Sequence, residues 1–126
     1  MVKNDKWIKK MAVECKMIDS FEPGQIRGGK VSYGTSSYGY DIRLSNEFKI
    51  IKNNMEVLLD PKQSQDNLFD TVAVNDYIDI PPNSVVLGKT IEYFRIPKDI
   101  ITIAFGKSTY ARCGIFVNIT PFEPEW

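Results

Sequence analysis

The sequence contains no histidine, and only two of its 126 residues are cysteines. Histidine is the commonest general base at neutral pH and a common zinc ligand, so its absence excludes Ser-His-Asp triads, Cys-His pairs and histidine-containing zinc sites. Cys15 and Cys113 lie far apart in no metal-ligand spacing, and we interpret both as reduced, buried, small hydrophobic residues. Hydrolytic chemistry would therefore depend on carboxylates, hydroxyls, Arg, Lys, backbone groups or a magnesium ion carried by substrate phosphates.

The sequence also lacks an excess of charge and a long apolar run. Sixteen basic residues balance sixteen acidic ones, so a nucleic-acid partner bound through its phosphates is not expected. No apolar run has the length of a membrane span and residues 1–16 do not resemble a signal peptide, which favours a cytoplasmic protein without membrane contact. The hydrophobic content of 43% and charged content of 25% are typical of a globular chain, and the length predicts one domain over residues 1–126.

Apolar periodicity predicts a mainly β protein with an N-terminal helix. Residues 5–17 show helical spacing, with Asn4 or Asp5 as the N-cap. The tract "SYGTSSYGY" is interpreted as an ordered loop that enters a strand near Tyr40, and Asn46 is predicted to mark a turn. Further short β-rich runs follow: "MEVLL", "DTVAV", "YIDI", "SVVLGKTIEYFRI", "IITIAF" and "IFVNIT". Strands at this spacing, separated by proline and asparagine, indicate a sandwich or barrel and not βαβ units.

The stretch "FGKSTYARCG" ends like a phosphate-binding P-loop. A Walker A loop would need a glycine where Ile101 stands. The preceding "IITIAF" has the character of a buried strand, and no glycine-rich cradle for a triphosphate can form there. The sequence therefore predicts a strand, a tight turn and a short helix, and the ATPase interpretation fails.

That short helix is the best candidate site on physical grounds. Ser108 and Thr109 place hydroxyls and backbone N–H groups at the start of a helix, where anions are favoured, and Lys107 adds charge. Arg112, one turn after Ser108, projects from the same face and can bind a phosphate or carboxylate with two hydrogen bonds. Gly114 suits the left-handed residue that ends such a helix. An ordinary strand-turn-helix with solvent-facing Lys and Arg stays open as the alternative.

The segment "GKSTYARCGI", followed by "VNITPFEPEW", resembles the signature of dCTP deaminases, which convert dCTP to dUTP. The segments "SSYGYDIRLSNEFKI" and "LGKTIEYFRIP" fit the same family at matching places, so the resemblance spans nearly the whole chain. The core Ser-Thr-x-Ala-Arg-x-Gly is specific to the dCTP deaminase and dUTPase superfamily, and "TPFEPEW" indicates the deaminase branch. The resemblance implies a distorted β-barrel of the dUTPase-like (β-clip) type and a homotrimer with active sites at subunit interfaces.

The resemblance also implies a zinc-independent hydrolase that supplies dUTP for dUMP and dTTP synthesis. A water held by a serine hydroxyl, backbone carbonyls and a glutamate attacks C4 of cytosine, and an arginine orients the glutamate and the water. Ser108 and Arg112 match the catalytic serine and arginine. The implied substrate-binding residues are Lys107, Ser108, Thr109, Arg112, Ile119 and Pro121. Magnesium would arrive with the triphosphate of dCTP, no metal-ligating residue is implied, and dTTP is a possible feedback inhibitor. Asp41 matches an acidic residue of the first shared motif, where a structural role in a strand is equally supported.

The chain departs from the family pattern at its end. The family's catalytic glutamate lies in a strand a few residues beyond the tryptophan that matches Trp126. Glu123 and Glu125 belong to the loop before that strand and do not match the base. The resemblance therefore implies a domain that lacks its C-terminal strands, is incomplete at residue 126 and is inactive alone. A dUTP pyrophosphatase, a bifunctional dUMP-forming dCTP deaminase and a non-catalytic nucleotide-binding β domain stay open as alternatives.

Overall fold

The computed structural model describes residues 1–28, 31–52, 60–63 and 66–125. These residues form two compact units, one of residues 1–42 with residues 92–126 and the other of residues 43–91. Two α-helices and eight short strands make up the regular structure of the described chain, together with a 3-10 helix at Asp66–Leu68. The mainly β class, the N-terminal helix and the short helix after the Gly-Lys-Ser turn are thus confirmed.

Helix α1, Asp5–Glu14, begins the first unit. The side chain of Asn4 caps it by accepting a hydrogen bond of 3.1 Å from the backbone N–H of Trp7, as the sequence predicts. The buried face of α1 carries Ile8 and Ala12. Ile8 packs with Met17 and Ile18 in a small core, and Tyr40 packs against that core.

The Tyr-Gly tract forms a hairpin and not a loop. Strands β1, Gln25–Ile26, β2, Tyr33–Ser36, and β3, Gly39–Asp41, form one antiparallel sheet in that order. Gly34 has a φ of +91° and lies against the backbone of Gly24, a conformation and a proximity that only glycine tolerates. The tract is therefore an ordered hairpin, and its second strand ends at Asp41.

A second pair of strands in the first unit flanks the short helix. Strand β7, Thr102–Ala104, pairs antiparallel with β8, Thr120–Phe122, and helix α2, Ser108–Arg112, lies between them in the chain. The prediction of a strand over "IFVNIT" was wrong for most of its length, because residues 115–119 are not in a strand.

The second unit is a single antiparallel sheet. It contains β4, Leu44–Ile51, β5, Phe69–Ala73, and β6, Val86–Thr90, in the order β5-β4-β6. The predicted turn at Asn46 was wrong, since Asn46 lies inside β4, where its carbonyl accepts a hydrogen bond from Val74 and the register with β6 shifts. The segment "YIDI" is not a strand, and the predicted strand "MEVLL" lies outside the described residues.

The cysteine prediction also needs correction. Cys15 and Cys113 are both exposed, because each is the C-cap residue at the end of its helix. Cys15 follows the last buried residue of α1, and α2 has no buried residue. None of the helices within the described ranges is long and apolar enough to cross a membrane. The described strands form three separate antiparallel sheets, so closure into a barrel stays a prediction, as does the single domain over residues 1–126.

Candidate active site

The turn between β7 and α2 forms the centre of the candidate site. Gly106 lies close to Val117, since a Cβ on Gly106 would be 3.2 Å from the Val117 side chain. The backbone carbonyl of Lys107 accepts hydrogen bonds from the N–H groups of Tyr110 at 3.0 Å and Ala111 at 3.2 Å. Gly114, with a φ of +77°, ends the helix in the left-handed conformation predicted for it.

Ser108 is the first residue of α2 and Arg112 is the last. Residues four apart lie on the same face of a helix, so the predicted pairing of this hydroxyl with this guanidinium agrees with the local backbone. Both residues are exposed, as is Thr109. Within the described chain, neither Ser108 nor Arg112 makes a side-chain hydrogen bond or an ion pair, so both polar groups are available to a ligand.

Lys107 is engaged inside the protein. Its ammonium nitrogen lies 2.7 Å from Asp41 Oδ2, 2.7 Å from Ser32 Oγ and 2.9 Å from the Ser32 carbonyl oxygen. An ammonium group has three N–H donors, and three acceptors surround this one. The resemblance implies that Lys107 lies near a triphosphate, whereas the structure places its charge against β3 and the residue before β2.

Asp41 is the centre of this network. Its Oδ2 atom also accepts hydrogen bonds from Gln25 Nε2 and from Ser32 Oγ, both at 3.2 Å. Partial burial by itself would raise the pKa of Asp41, but the hydrogen bonds from Lys107, Gln25 and Ser32 and the Lys107 charge outweigh it and hold the pKa below its ordinary value. Asp41 is therefore ionised at neutral pH and pairs with Lys107.

Sequence reasoning selected Lys107 and Asp41 but missed Ser32 and Gln25. Ser32 is 75 residues from Lys107 along the chain, and no spacing pattern links them. The only local signal is the position of Ser32 directly before a strand, which is too common to single it out.

The two remaining predicted residues lie at β8. Ile119 directly precedes this strand and is exposed, and Pro121 pairs with Ile103 of β7. Thr120 pairs with Ala104, the residue at which β7 ends before the turn to α2. The register thus brings the start of β8 beside the end of β7, which is the strand that leads into the candidate site.

Two glutamates follow β8: one is ion-paired with a lysine and the other is exposed. Glu125 lies 3.3 Å from Lys98 Nζ, and its backbone N–H donates to the carbonyl of Ile96, so it is tied to the segment around Pro97. Glu123 is exposed. No group of three or more His, Cys, Asp or Glu residues that could hold a metal ion occurs in the part of the chain that the structure describes.

A family model and individual relatives both match this chain to dCTP deaminases. The sequence model of a family described as dCTP deaminase-like matches residues 2–126. The chain is 60% identical to a dCTP deaminase of Herminiimonas arsenicoxydans, 58% to one of Methylococcus capsulatus and 58% to one of Neisseria meningitidis. Each of these alignments covers 99% of this chain and 68% of the relative.

Proposed function

Because the chain belongs to the dCTP deaminase-like family, we propose that it catalyses the hydrolytic deamination of dCTP to dUTP and ammonia. The observation that carries the proposal is the 60% identity to a dCTP deaminase across 99% of the chain, a span that includes the Ser108–Arg112 helix. The side chains of Ser108 and Arg112 are exposed and make no hydrogen bond or ion pair within the described chain, which supports the same proposal.

Ser108 and Arg112 act on the attacking water. The Ser108 hydroxyl holds the water, and Arg112 orients it together with a glutamate. The water oxygen forms a bond to C4 of cytosine, one water proton is transferred to ring N3 and the other to the exocyclic amino group, and the bond between C4 and that amino group breaks as ammonia leaves. The carbonyls of Ile119 and Pro121 face the base and the water, and Thr109 binds substrate beside Ser108.

The proton carrier is the glutamate that the family resemblance places after the position of Trp126. Glu125 is not proposed for this role because its carboxylate pairs with Lys98 and its backbone is bonded to Ile96.

Magnesium enters as the complex of the substrate triphosphate, whose oxygens and water hold the ion, and zinc takes no part. We further propose a homotrimer that dTTP inhibits, and a cytoplasmic location. The homotrimer and the inhibition by dTTP follow from the resemblance.

The test is incubation of the purified protein with dCTP and magnesium, followed by chromatographic analysis of the nucleotides and measurement of ammonia. The expected result is equimolar dUTP and ammonia with no pyrophosphate. Formation of dUMP and pyrophosphate from dCTP would indicate the bifunctional enzyme instead. No change in dCTP, with hydrolysis of added dUTP, would indicate a dUTP pyrophosphatase, and binding without turnover would indicate a non-catalytic domain.

A further inference from the structure

Helix α2 carries Ser108 and Arg112, yet packing does not hold it in place. It has five residues, none of them is buried, and its N-cap residue Lys107 makes no side-chain capping bond. Isolated helices need about 12–15 residues to be even marginally stable in water. The position of α2 must therefore be set by the contacts at its ends.

The strongest contact at the start of α2 is made by Lys107. Its backbone carbonyl accepts the first two helical hydrogen bonds, from Tyr110 and Ala111, while its ammonium contacts Asp41 and Ser32. The same residue thus begins the helix and ties it to the sheet of β1, β2 and β3.

The ion pair of this tether is partly buried. The side chains of Lys107 and Asp41 are 30% and 20% exposed, whereas those of Arg95 and Asp19, a pair with the same 2.7 Å separation, are 49% and 45% exposed. Partly buried pairs are screened less by salt and solvent than exposed ones. In addition, Gln25 and Ser32 fix the Asp41 carboxylate, so the acceptor is rigid.

We propose that Asp41 is a positioning residue of the candidate active site, which fixes the Ser108–Arg112 helix by holding Lys107. This inference rests on the proposed function for its catalytic consequence, although the positioning itself does not depend on it. Loss of the Asp41 charge leaves Lys107 with neutral acceptors only, and the start of α2 becomes freer to shift. A displacement of about 1 Å in a catalytic group can reduce turnover by about a hundredfold.

The test compares Asp41→Asn and Lys107→Met with Asp19→Asn as the matched control, because the control breaks an ion pair of equal length away from α2. Hydrogen exchange of the backbone amides of Tyr110 and Ala111 reports the order of α2 without any substrate. We expect exchange there to become faster by about tenfold or more in both test variants and to stay unchanged in the control.

Steady-state kinetics with dCTP supply the second readout. We expect kcat to fall between about tenfold and a hundredfold in both test variants with KM altered by less than about threefold, since a displaced catalytic group affects the transition state more than binding. The double variant should be no slower than Lys107→Met alone, because both changes break one tether. Ser32→Ala keeps the contact between the Ser32 carbonyl and Lys107, so its kcat should fall by less than in Asp41→Asn. This variant replaces Asp41→Asn in the test if Asp41→Asn fails to fold.

Two results would overturn the inference. One is unchanged amide exchange and unchanged kcat in Asp41→Asn. The other is a rise in KM of more than about tenfold in Lys107→Met, while kcat stays normal in Lys107→Met and in Asp41→Asn. That result would indicate that Lys107 binds the phosphates directly. If the wild-type protein leaves dCTP unchanged, the proposed function fails, and the exchange measurement still decides whether Asp41 positions α2.

Discussion

At the scale of single residues, Arg112 is the side chain whose chemistry can be tested most directly. A guanidinium presents a planar fork of donors, whereas an ammonium is a point charge. If Arg112 orients the water and the glutamate, Arg112→Lys should lower turnover of dCTP by about a hundredfold or more. The thermal unfolding midpoint should stay the same, because Arg112 is exposed and unbonded within the described chain. Steady-state assays and a thermal melt measure the two quantities.

Arg95→Lys is the matched control for this variant. Arg95 is also an exposed arginine, but its guanidinium pairs with Asp19 and lies over the Tyr93 ring. Turnover should be unaffected there. Near-normal turnover in Arg112→Lys would show that Arg112 is an ordinary surface charge.

The lowered pKa of Asp41 also predicts that the stability of the fold depends on pH. The hydrogen bonds from Lys107, Gln25 and Ser32 hold the pKa of Asp41 in the folded state below the ordinary aspartate value of 3.8. A depressed carboxyl pKa stabilises the fold above the unfolded-state pKa, and this contribution is lost as the pH falls through the folded-state value. The unfolding midpoint of Asp41→Asn should therefore lie below that of the wild type at neutral pH, and the gap should close as the pH falls below 3.8. A gap that is constant across this acid range would contradict the lowered pKa.

At the scale of elements, the hairpin that carries Asp41 depends on Gly34. An added Cβ would lie 2.1 Å from the carbonyl oxygen of Gly24, and the φ of +91° is one that side chains rarely adopt. Gly34→Ala should lower the free energy of unfolding by at least about 2 kcal/mol, through backbone strain and the contact with Gly24. Denaturant titration measures this change.

Gly28→Ala is the control for the hairpin variant. A Cβ on Gly28 would meet nothing within 4 Å, so the free energy of unfolding should change by less than about 0.5 kcal/mol. Equal effects of the two substitutions would mean that β2 does not need its close approach to Gly24.

Elements with a local signal could be predicted from the sequence, and those set by distant contacts could not. Helix α1 was predicted because Asn4 and the apolar spacing are local. Helix α2 was predicted because the strand-like run before Gly106 and the turn at Gly106 and Lys107 are also local. Asn46 was assigned to a turn from its intrinsic preference, but pairing with Val74 keeps it inside β4. Tertiary pairing of this kind overrides propensity in strands.

The same distinction applies to the candidate site. Ser108 and Arg112 were selected from a contiguous motif, first by their spacing on a short helix and then by the family resemblance. The acceptors of Lys107 could not be found this way, because Asp41 is 66 residues distant along the chain and Ser32 is farther still. Only the fold brings them together, and the tether is therefore a structural finding.

At the scale of the whole molecule, turnover should need magnesium and no zinc. A triphosphate is normally bound as its magnesium complex, and the family resemblance implies a zinc-independent reaction. Removal of divalent ions with EDTA should stop turnover, and magnesium alone should restore it. A zinc-selective chelator with excess magnesium should have no effect on the rate. Stoichiometric zinc in the active protein would contradict this prediction.

Association between copies of the chain can be tested on the apolar residues around β7. Ile103 and Phe105 are 56% and 71% exposed, and Phe116 is 87% exposed. Thr102 and Ala104, which alternate with Ile103 and Phe105 along the chain, are half-buried. A strand that directs its large apolar side chains outward leaves a surface that is stable in water only when it is covered. The proposed homotrimer would supply that cover.

The double substitution Phe105→Ser with Phe116→Ser should therefore shift the protein from trimer toward monomer in sedimentation velocity. The control is Val13→Ser with Tyr77→Ser, which removes two side chains of similar exposure, 75% and 76%, elsewhere in the chain, and it should leave the trimer intact. If the first pair leaves the sedimentation coefficient unchanged, these phenylalanines do not form the subunit interface.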